Sequence, residues 1–309
     1  MSIYAIANYA GSAGKTTTAT SLAVLLAAEY GLRVRLYDLD SQANASTWLG
    51  WSDPEDYPTI SDVLNPAIDA HIADAERPAR APWDIDDNRP VYEDDSVIEN
   101  LTIVPARGYA LDELMPRLHT PTGVGRLRKK IREAPAVDVT ILDAAGSGTA
   151  LTLASILATS AFPDQLESSG VITCTLAQPK EVEGIAKLEN EISGINDAYD
   201  LSVGLRGIVV CSVPSKGKVY ANNRDDLDSR YGDLVSPSVR HRTTVPEAYG
   251  LFTPLPIYAE RASNRHSRAG AQDVTDDYRK VLEHFIGNGL FPEAARKDPA
   301  LIRAIGAAR

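Results

Sequence analysis

The amino-acid sequence predicts a doubly wound α/β domain, with a mostly parallel sheet flanked by helices, and three observations carry that expectation. Short apolar or β-branched runs alternate with longer amphipathic segments along the whole chain, the pattern of βαβ units. The first run leads through a glycine-bearing turn into an apolar helix. No internal repeat or low-complexity linker interrupts the alternation, so one wound domain over residues 1–290 is expected, followed by a short C-terminal tail at 291–309. At 309 residues, with 44% hydrophobic and 24% charged residues, the chain can bury a core without staples.

The elements follow in order. Strands are predicted at Ile3–Ala7, Val34–Tyr37, Leu101–Val104, Val139–Leu142, Val171–Leu176 and Leu205–Val210, each a compact apolar run bounded by polar or turn residues. Helices are predicted to begin at Lys15, near Thr149, at Lys180 and at Val219, with a last long one from about Val274 to Phe285. The least regular stretch, Pro66 to Glu99, crowds Pro82 and Pro90 with Asp84, Asp86, Asp87, Glu93, Asp94 and Asp95, and reads as an acidic, solvated surface insertion.

Composition narrows the function classes. The chain carries 42 acidic against 31 basic residues, a net charge of −11, so contact with nucleic acid requires a local basic patch. Its 2 cysteines, Cys174 and Cys211, sit in runs that read as buried strands, which excludes a disulfide scaffold and four-cysteine zinc or iron–sulfur sites within one chain. No apolar run approaches the roughly 18 residues of a membrane span. The first basic residue is Lys15, so no signal-peptide n-region is expected, and a cytoplasmic, reducing compartment is.

The chemistry concentrates after the first strand. Gly11-Ser12-Ala13-Gly14-Lys15-Thr16-Thr17 between a strand and a helix is the order that a phosphate loop requires. Gly11 and Gly14 let the backbone turn tightly and aim N–H groups inward, where the helix N-terminus adds a favourable dipole. Lys15 is placed to reach β- and γ-phosphates, and the Thr16 hydroxyl to enter a Mg²⁺ shell. The second strand delivers Asp38 and Asp40, two apart and so on one face. One of them can order Mg²⁺ water and the other the attacking water, or both can cap loops. The Val139 strand delivers Asp143, a second Mg²⁺ anchor, and then Gly146, whose N–H can meet a γ-phosphate.

These residues resemble the ParA/MinD superfamily of deviant-Walker P-loop ATPases, and most of all its ParA partition branch. The family's Lys-Gly-Gly-x-Gly-Lys-Thr-Thr loop is similar to Ala10 through Thr17. Its Asp-x-Asp-Pro-Gln-x-Asn segment is similar to Asp38 through Asn44, with Ser41 in place of proline. Further stretches follow in family order: Thr59 to Leu64, Asn100 to Ala106, Val182-Glu183-Gly184 with Leu188, Gly207 to Val210, and Glu247-Ala248 with Pro256-Ile257. The resemblance implies ATP and Mg²⁺ as cofactors and an ATP-dependent homodimer. It further implies nonspecific DNA binding on the nucleoid, and hydrolysis stimulated by a centromere-binding ParB-type partner. By position, Lys15 and Thr16 hold phosphate and Mg²⁺, Asp40 orders the lytic water and Asp143 completes the metal's outer shell. With the first strand at Ile3, the N-terminal DNA-reading extension of autoregulating members is expected to be missing.

One departure bears on mechanism. The family's signature lysine, which crosses the dimer to the partner's nucleotide, is Ala10 here. The resemblance then implies a weaker sandwich dimer and slower turnover, or another cation such as Arg242 or Lys216 in its place. For DNA, the candidates are Arg240, Arg242, Arg261, Arg265 and Arg268, weighed against ion pairs with Asp225, Asp226, Asp273 and Asp276. His241 and His266 lack metal-ligand spacing. The rival readings are a MinD-like membrane-switched ATPase, for which the alanine-rich segment Arg296–Arg309 offers no aromatic anchor, and a weakly hydrolysing ATP-bound scaffold. A membrane partner is not expected.

Overall fold

A computed structural model describes residues 1–9, 14–52, 56–86, 89–146, 148–176, 178–214 and 218–296. Along them, β1 (Ser2–Ile6), α1 (Lys15–Tyr30) and β2 (Val34–Leu39) are followed by three short helices, α2 (Asn44–Trp48), α3 (Ile60–Leu64) and α4 (Ile72–Ala75). Next come β3 (Arg77–Arg80), β4 (Asp84–Asp86), β5 (Arg89–Val91), β6 (Val97–Val104), α5 (Gly108–Leu118) and α6 (Pro121–Glu133). The second half holds β7 (Val139–Ala144), α7 (Ala150–Ala158), β8 (Gly170–Thr175), α8 (Pro179–Tyr199) and β9 (Leu205–Val210), then α9 (Lys218–Tyr231), α10 (Thr244–Gly250), α11 (Leu255–Arg261) and α12 (Arg265–Gly287).

The main sheet has the order β3-β6-β2-β7-β1-β8-β9, parallel except for β3. Alternation along β1 sets its two faces. Tyr4 and Ile6 join a core with α1, α11 and α12, including Leu22, Leu26 and Phe285, whereas Ile3 and Ala5 join another that contains Leu127, Leu151 and Ile156. Helices thus cover both faces, as a parallel sheet requires. From β1 the chain winds out to β2 and β6, and from β8 to β9 on the other side. This opens a crevice outside the carboxyl ends of the central strands.

Three differences from the sequence reading have physical causes. The stretch 66–99 carries more order than a solvated loop: it supplies the antiparallel edge strand β3, the β4–β5 hairpin and fully buried Ile72, Ala75, Ala79 and Ala81. At the edge itself, Pro78 has no N–H to offer and its carbonyl accepts the Trp51 indole N–H at 2.8 Å. Helix α12 starts at Arg265, well before Val274. The Asn264 side chain caps it by accepting the His266 N–H at 2.8 Å, and its first turns bury only small residues, Ser267, Gly270 and Ala271, which leave a weak apolar signal. Beyond residue 290, Phe291 is fully buried against Tyr4, whose hydroxyl accepts the Phe291 N–H at 2.7 Å.

Candidate functional site

Strand register assembles the site. Asp143 at the end of β7 lies beside Asp38 of β2 on one side and Ile6 of β1 on the other, so two carboxylates share the crevice floor with the exit of the first strand. Helix α1 begins there. Its N-cap is Gly14 at φ 85°, in the left-handed region, and the Cβ of any other residue would stand 3.2 Å from Cys211 Sγ. No acidic residue occupies its first turn, so its free N–H groups and dipole face the crevice unopposed. Lys15 is nearly buried and donates from Nζ to Asn8 Oδ1 at 3.0 Å, and Asn8 is held in turn by the Cys174 carbonyl. The Lys15 Nζ also lies 3.4 Å from where a Cβ on Gly146 would sit. Thr16 and Thr17 are half-buried beside it. Ala10, Gly11, Ser12 and Ala13 lie outside the described residues, as does Lys216.

The two buried acids differ in their partners. Asp38 Oδ2 accepts both the N–H and the hydroxyl of Ser46 at 2.7 Å, and its Oδ1 accepts the Asp40 N–H at 3.2 Å. Burial still outweighs these bonds and pushes its pKa up to about 6. Asp143 is 1% exposed, and neither carboxylate oxygen has a hydrogen-bond partner among the described residues. Burial, then the Asp38 charge, holds its pKa well above the usual carboxylate range, against smaller opposing effects of Thr16 and Lys15. Asp40 lies just past β2, half-buried. Its Oδ1 accepts the Gln42 N–H at 3.0 Å, so the loop-capping contact exists and Asp40 still borders the crevice.

A buried, unpartnered carboxylate beside a second acid is costly unless a cation joins it. Thr16, Asp38 and Asp143 provide the hard oxygen donors suited to Mg²⁺, and Lys15 with the α1 N-terminus provides for an anion next to it. The donor set therefore fits a magnesium–phosphate ligand.

Sequence reasoning missed the flank of the site. A cavity of about 270 Å³ opens beside Gly14 and Thr17, walled by Leu176, Cys211, Arg240, His241, Pro246 and Tyr278. Its walls come from segments following β8 and β9, and no local motif marks them. The five arginines do not form one free patch. Arg240 grips Asp277 at 2.6 Å and also meets Asp273, and Arg242 binds Asp273 at 2.9 Å, so of the expected partners Asp273 is the one engaged, Asp277 joins it, and Asp276 pairs with Arg279 instead. Arg261 donates to the Pro82 carbonyl and lies over Trp83, and Arg268 donates to the Ala262 carbonyl. Arg265 is exposed at the start of α12.

Comparison with known proteins places this geometry. Residues 4–254 match the CobQ/CobB/MinD/ParA nucleotide binding domain. The chain belongs to that family. It is 28% identical over 263 residues to the chromosome partitioning protein ParA of Caulobacter vibrioides, covering 83% of this chain and 86% of the relative. To the sporulation initiation inhibitor protein Soj of Bacillus subtilis it is 24% identical over 264 residues, covering 84% and 92%. The fold matches an ATP complex of a Cyanothece McdA variant with a TM-score of 0.71 at 18% identity, covering 94% of this chain and 97% of the other. It also matches cobyrinic acid a,c-diamide synthase of Mycobacterium smegmatis with bound ATP analogue and magnesium, at 0.62 and 22%, covering 86% and 98%. This ParA/MinD-type chain thus has the α/β nucleotide-binding fold, with Lys15 at its crevice.

Proposed function

We propose that this chain is a ParA-type DNA partition ATPase. In this reading it binds Mg²⁺-ATP, pairs with a second copy in the ATP state, holds DNA without sequence preference, and hydrolyses slowly until a centromere-binding ParB-type protein stimulates it. The observation that carries the reading is the buried Asp143 carboxylate beside Asp38, near Thr16 and Lys15 and with no close hydrogen-bond partner among the described residues. Gly11 to Thr17 cradle the phosphates, Gly146 meets the γ-phosphate, and Asp38, Asp143 and Thr16 surround the metal. A bound Mg²⁺ would neutralise phosphate charge. The cavity beside Gly14 accommodates the base and sugar. The deciding experiment is ATP turnover with and without nonspecific duplex DNA. Stimulation supports the partition reading, and unchanged turnover in DNA argues against it.

Asp40 positions the attacking water in this scheme. Asp40→Ala is expected to keep ATP affinity within about twofold while turnover falls at least about tenfold, because such a group acts on the transition state. Joint loss of binding and turnover, read by calorimetry and phosphate release, would make Asp40 structural.

For DNA, the exposed corner Arg261, Arg265 and Arg268 is favoured over Arg240 and Arg242, whose charges are matched by Asp273 and Asp277. Each phosphate contact removed should flatten the slope of log affinity against log salt by about 0.9. Substituting the three corner arginines should flatten it more than substituting the ion-paired two, and the reverse order would move the DNA face.

Ala10 bears on the dimer. A cation crossing to the partner's phosphates lowers repulsion in a dry interface, and Arg242 is already engaged by Asp273. Ala10→Lys is therefore expected to strengthen the ATP-dependent dimer seen in sedimentation, and no change would show that pairing uses another charge. Among the described residues, no helix is long and apolar enough to cross a membrane. A cytoplasmic, nucleoid-associated protein is the reading that goes with DNA binding.

A further inference from the structure

Tyr9 lies between Asn8 and the phosphate loop, and its ring rests on the turn that follows Asp143. A Cβ added to Gly148 would stand 2.6 Å from the ring's Cε1 and 3.1 Å from Oη, so only glycine admits the ring at this distance. The same turn is met from the other end of the loop by Lys15, whose Nζ is 3.4 Å from the Cβ position of Gly146. Both flanks of the phosphate loop thus bear on the segment that carries the unpartnered Asp143 carboxylate. The Tyr9 hydroxyl is shielded from solvent and has no partner at close hydrogen-bond distance among the described residues. The Glu191 carboxylate of α8 is close enough to act on it electrostatically, and burial with that charge holds the phenol protonated. Local bonds also hold the turn: Thr152 donates to the Ala145 carbonyl at 3.2 Å, and Thr149 caps α7 by accepting the Thr152 N–H at 3.3 Å. Tyr9 and Lys15 thus both bear on the turn from the flanks of the loop, Tyr9 through Gly148.

We propose that Tyr9 is a positioning residue that acts through Gly148 to set the Asp143 turn against the phosphate loop, so that metal and nucleotide bind as one ligand. This rests on the magnesium-nucleotide reading above. Removing the ring loosens the turn and leaves Lys15 and the start of α1 in place. The consequence is selective: ATP without metal keeps its affinity, and the added affinity that Mg²⁺ confers is lost. Among the described residues the contact with the turn is made by the ring, so the ring more than the hydroxyl is expected to carry the effect.

The test is calorimetric ATP affinity, with Mg²⁺ and with chelator, for wild type, Tyr9→Phe, Tyr9→Ala, Gly148→Ala and the double variant Tyr9→Ala/Gly148→Ala. Tyr9→Phe should match wild type. Tyr9→Ala and Gly148→Ala should each lose about fivefold or more of the Mg²⁺-dependent gain, with metal-free affinity within about twofold. The double variant should lose less than the product of the two, because the methyl then occupies space that the ring vacated. Equal losses with and without Mg²⁺, independent effects in the double variant, or an unchanged gain in Tyr9→Ala would each overturn the proposal. Wild type that binds no ATP would instead remove the functional reading and this inference with it, an outcome separate from a Mg²⁺-dependent wild type whose variants behave alike.

Discussion

Lys15→Ala is expected to remove Mg²⁺-ATP binding at concentrations that saturate the wild type. The ammonium is almost buried, oriented by Asn8 and set against the turn that carries Gly146, so it arrives pre-aimed and loses little freedom on meeting phosphate. A charge-assisted hydrogen bond to phosphate contributes about 1.5–3 kcal/mol, a ten- to more than hundredfold change in Kd. A second effect adds to it. Lys15 partly offsets the repulsion around Asp143, so without it that acid holds its proton more firmly and offers a poorer site for a cation. Calorimetry decides the matter, and equal affinities for the two proteins would refute the placement of Lys15.

The other large effect has two opposite signs. Asp143→Asn should stabilise the ligand-free protein near pH 7.5 while abolishing the Mg²⁺-dependent part of ATP binding. Asp38 and Asp143 both have folded-state pKa values raised above those of the unfolded chain, the former to about 6. A group of this kind favours folding while protonated. Its advantage is complete below the unfolded value and is lost as pH rises through the folded one, so above pH 6 the crowded acids oppose folding. Removing one charge relieves that opposition by about 1–3 kcal/mol, a rise of a few degrees in Tm at pH 7.5 and less at pH 5. Melting at both pH values, without metal, reads the first sign, and ATP affinity with and without Mg²⁺ reads the second. A Tm lowered alike at both pH values would show that Asp143 supports the fold instead of a cation.

What the sequence disclosed followed from local pattern. The central strands are short apolar runs buried on both faces, so their positions were plain, and β9 lies at the predicted Leu205–Val210. The Gly-Lys-Thr turn and the strand-terminal aspartates carry their chemistry in adjacent residues, and register then sets Asp38 beside Asp143. Features built from distant segments were not legible. Strand β3 reads Arg-Pro-Ala-Arg, which has no β-branched residue and takes its conformation from β6. The cavity beside Gly14 draws on residues near 176, 211, 240 and 274, and nothing in any one of those stretches announces a shared wall. The arginine pattern left DNA contact and ion pairing both open, because sequence spacing cannot show that α12 presents Asp273 and Asp277 to Arg240.

The sealed margin at β3 limits how copies of this protein can assemble. A filament that grows by adding strands needs alternating donors and acceptors along an open rim. Here proline withholds a donor at residue 78, the Trp51 indole occupies the adjoining acceptor, and Arg80 lies over that indole ring at 4.6 Å. At the far margin, β9 is followed by segments that bridge through Ile208–Val235 and Val213–Arg240. Any nucleotide-driven polymer of this chain would therefore join helical faces or crevices, and its amide I infrared band would stay where the isolated subunit's lies, without the shift that accompanies continuous intermolecular β-structure.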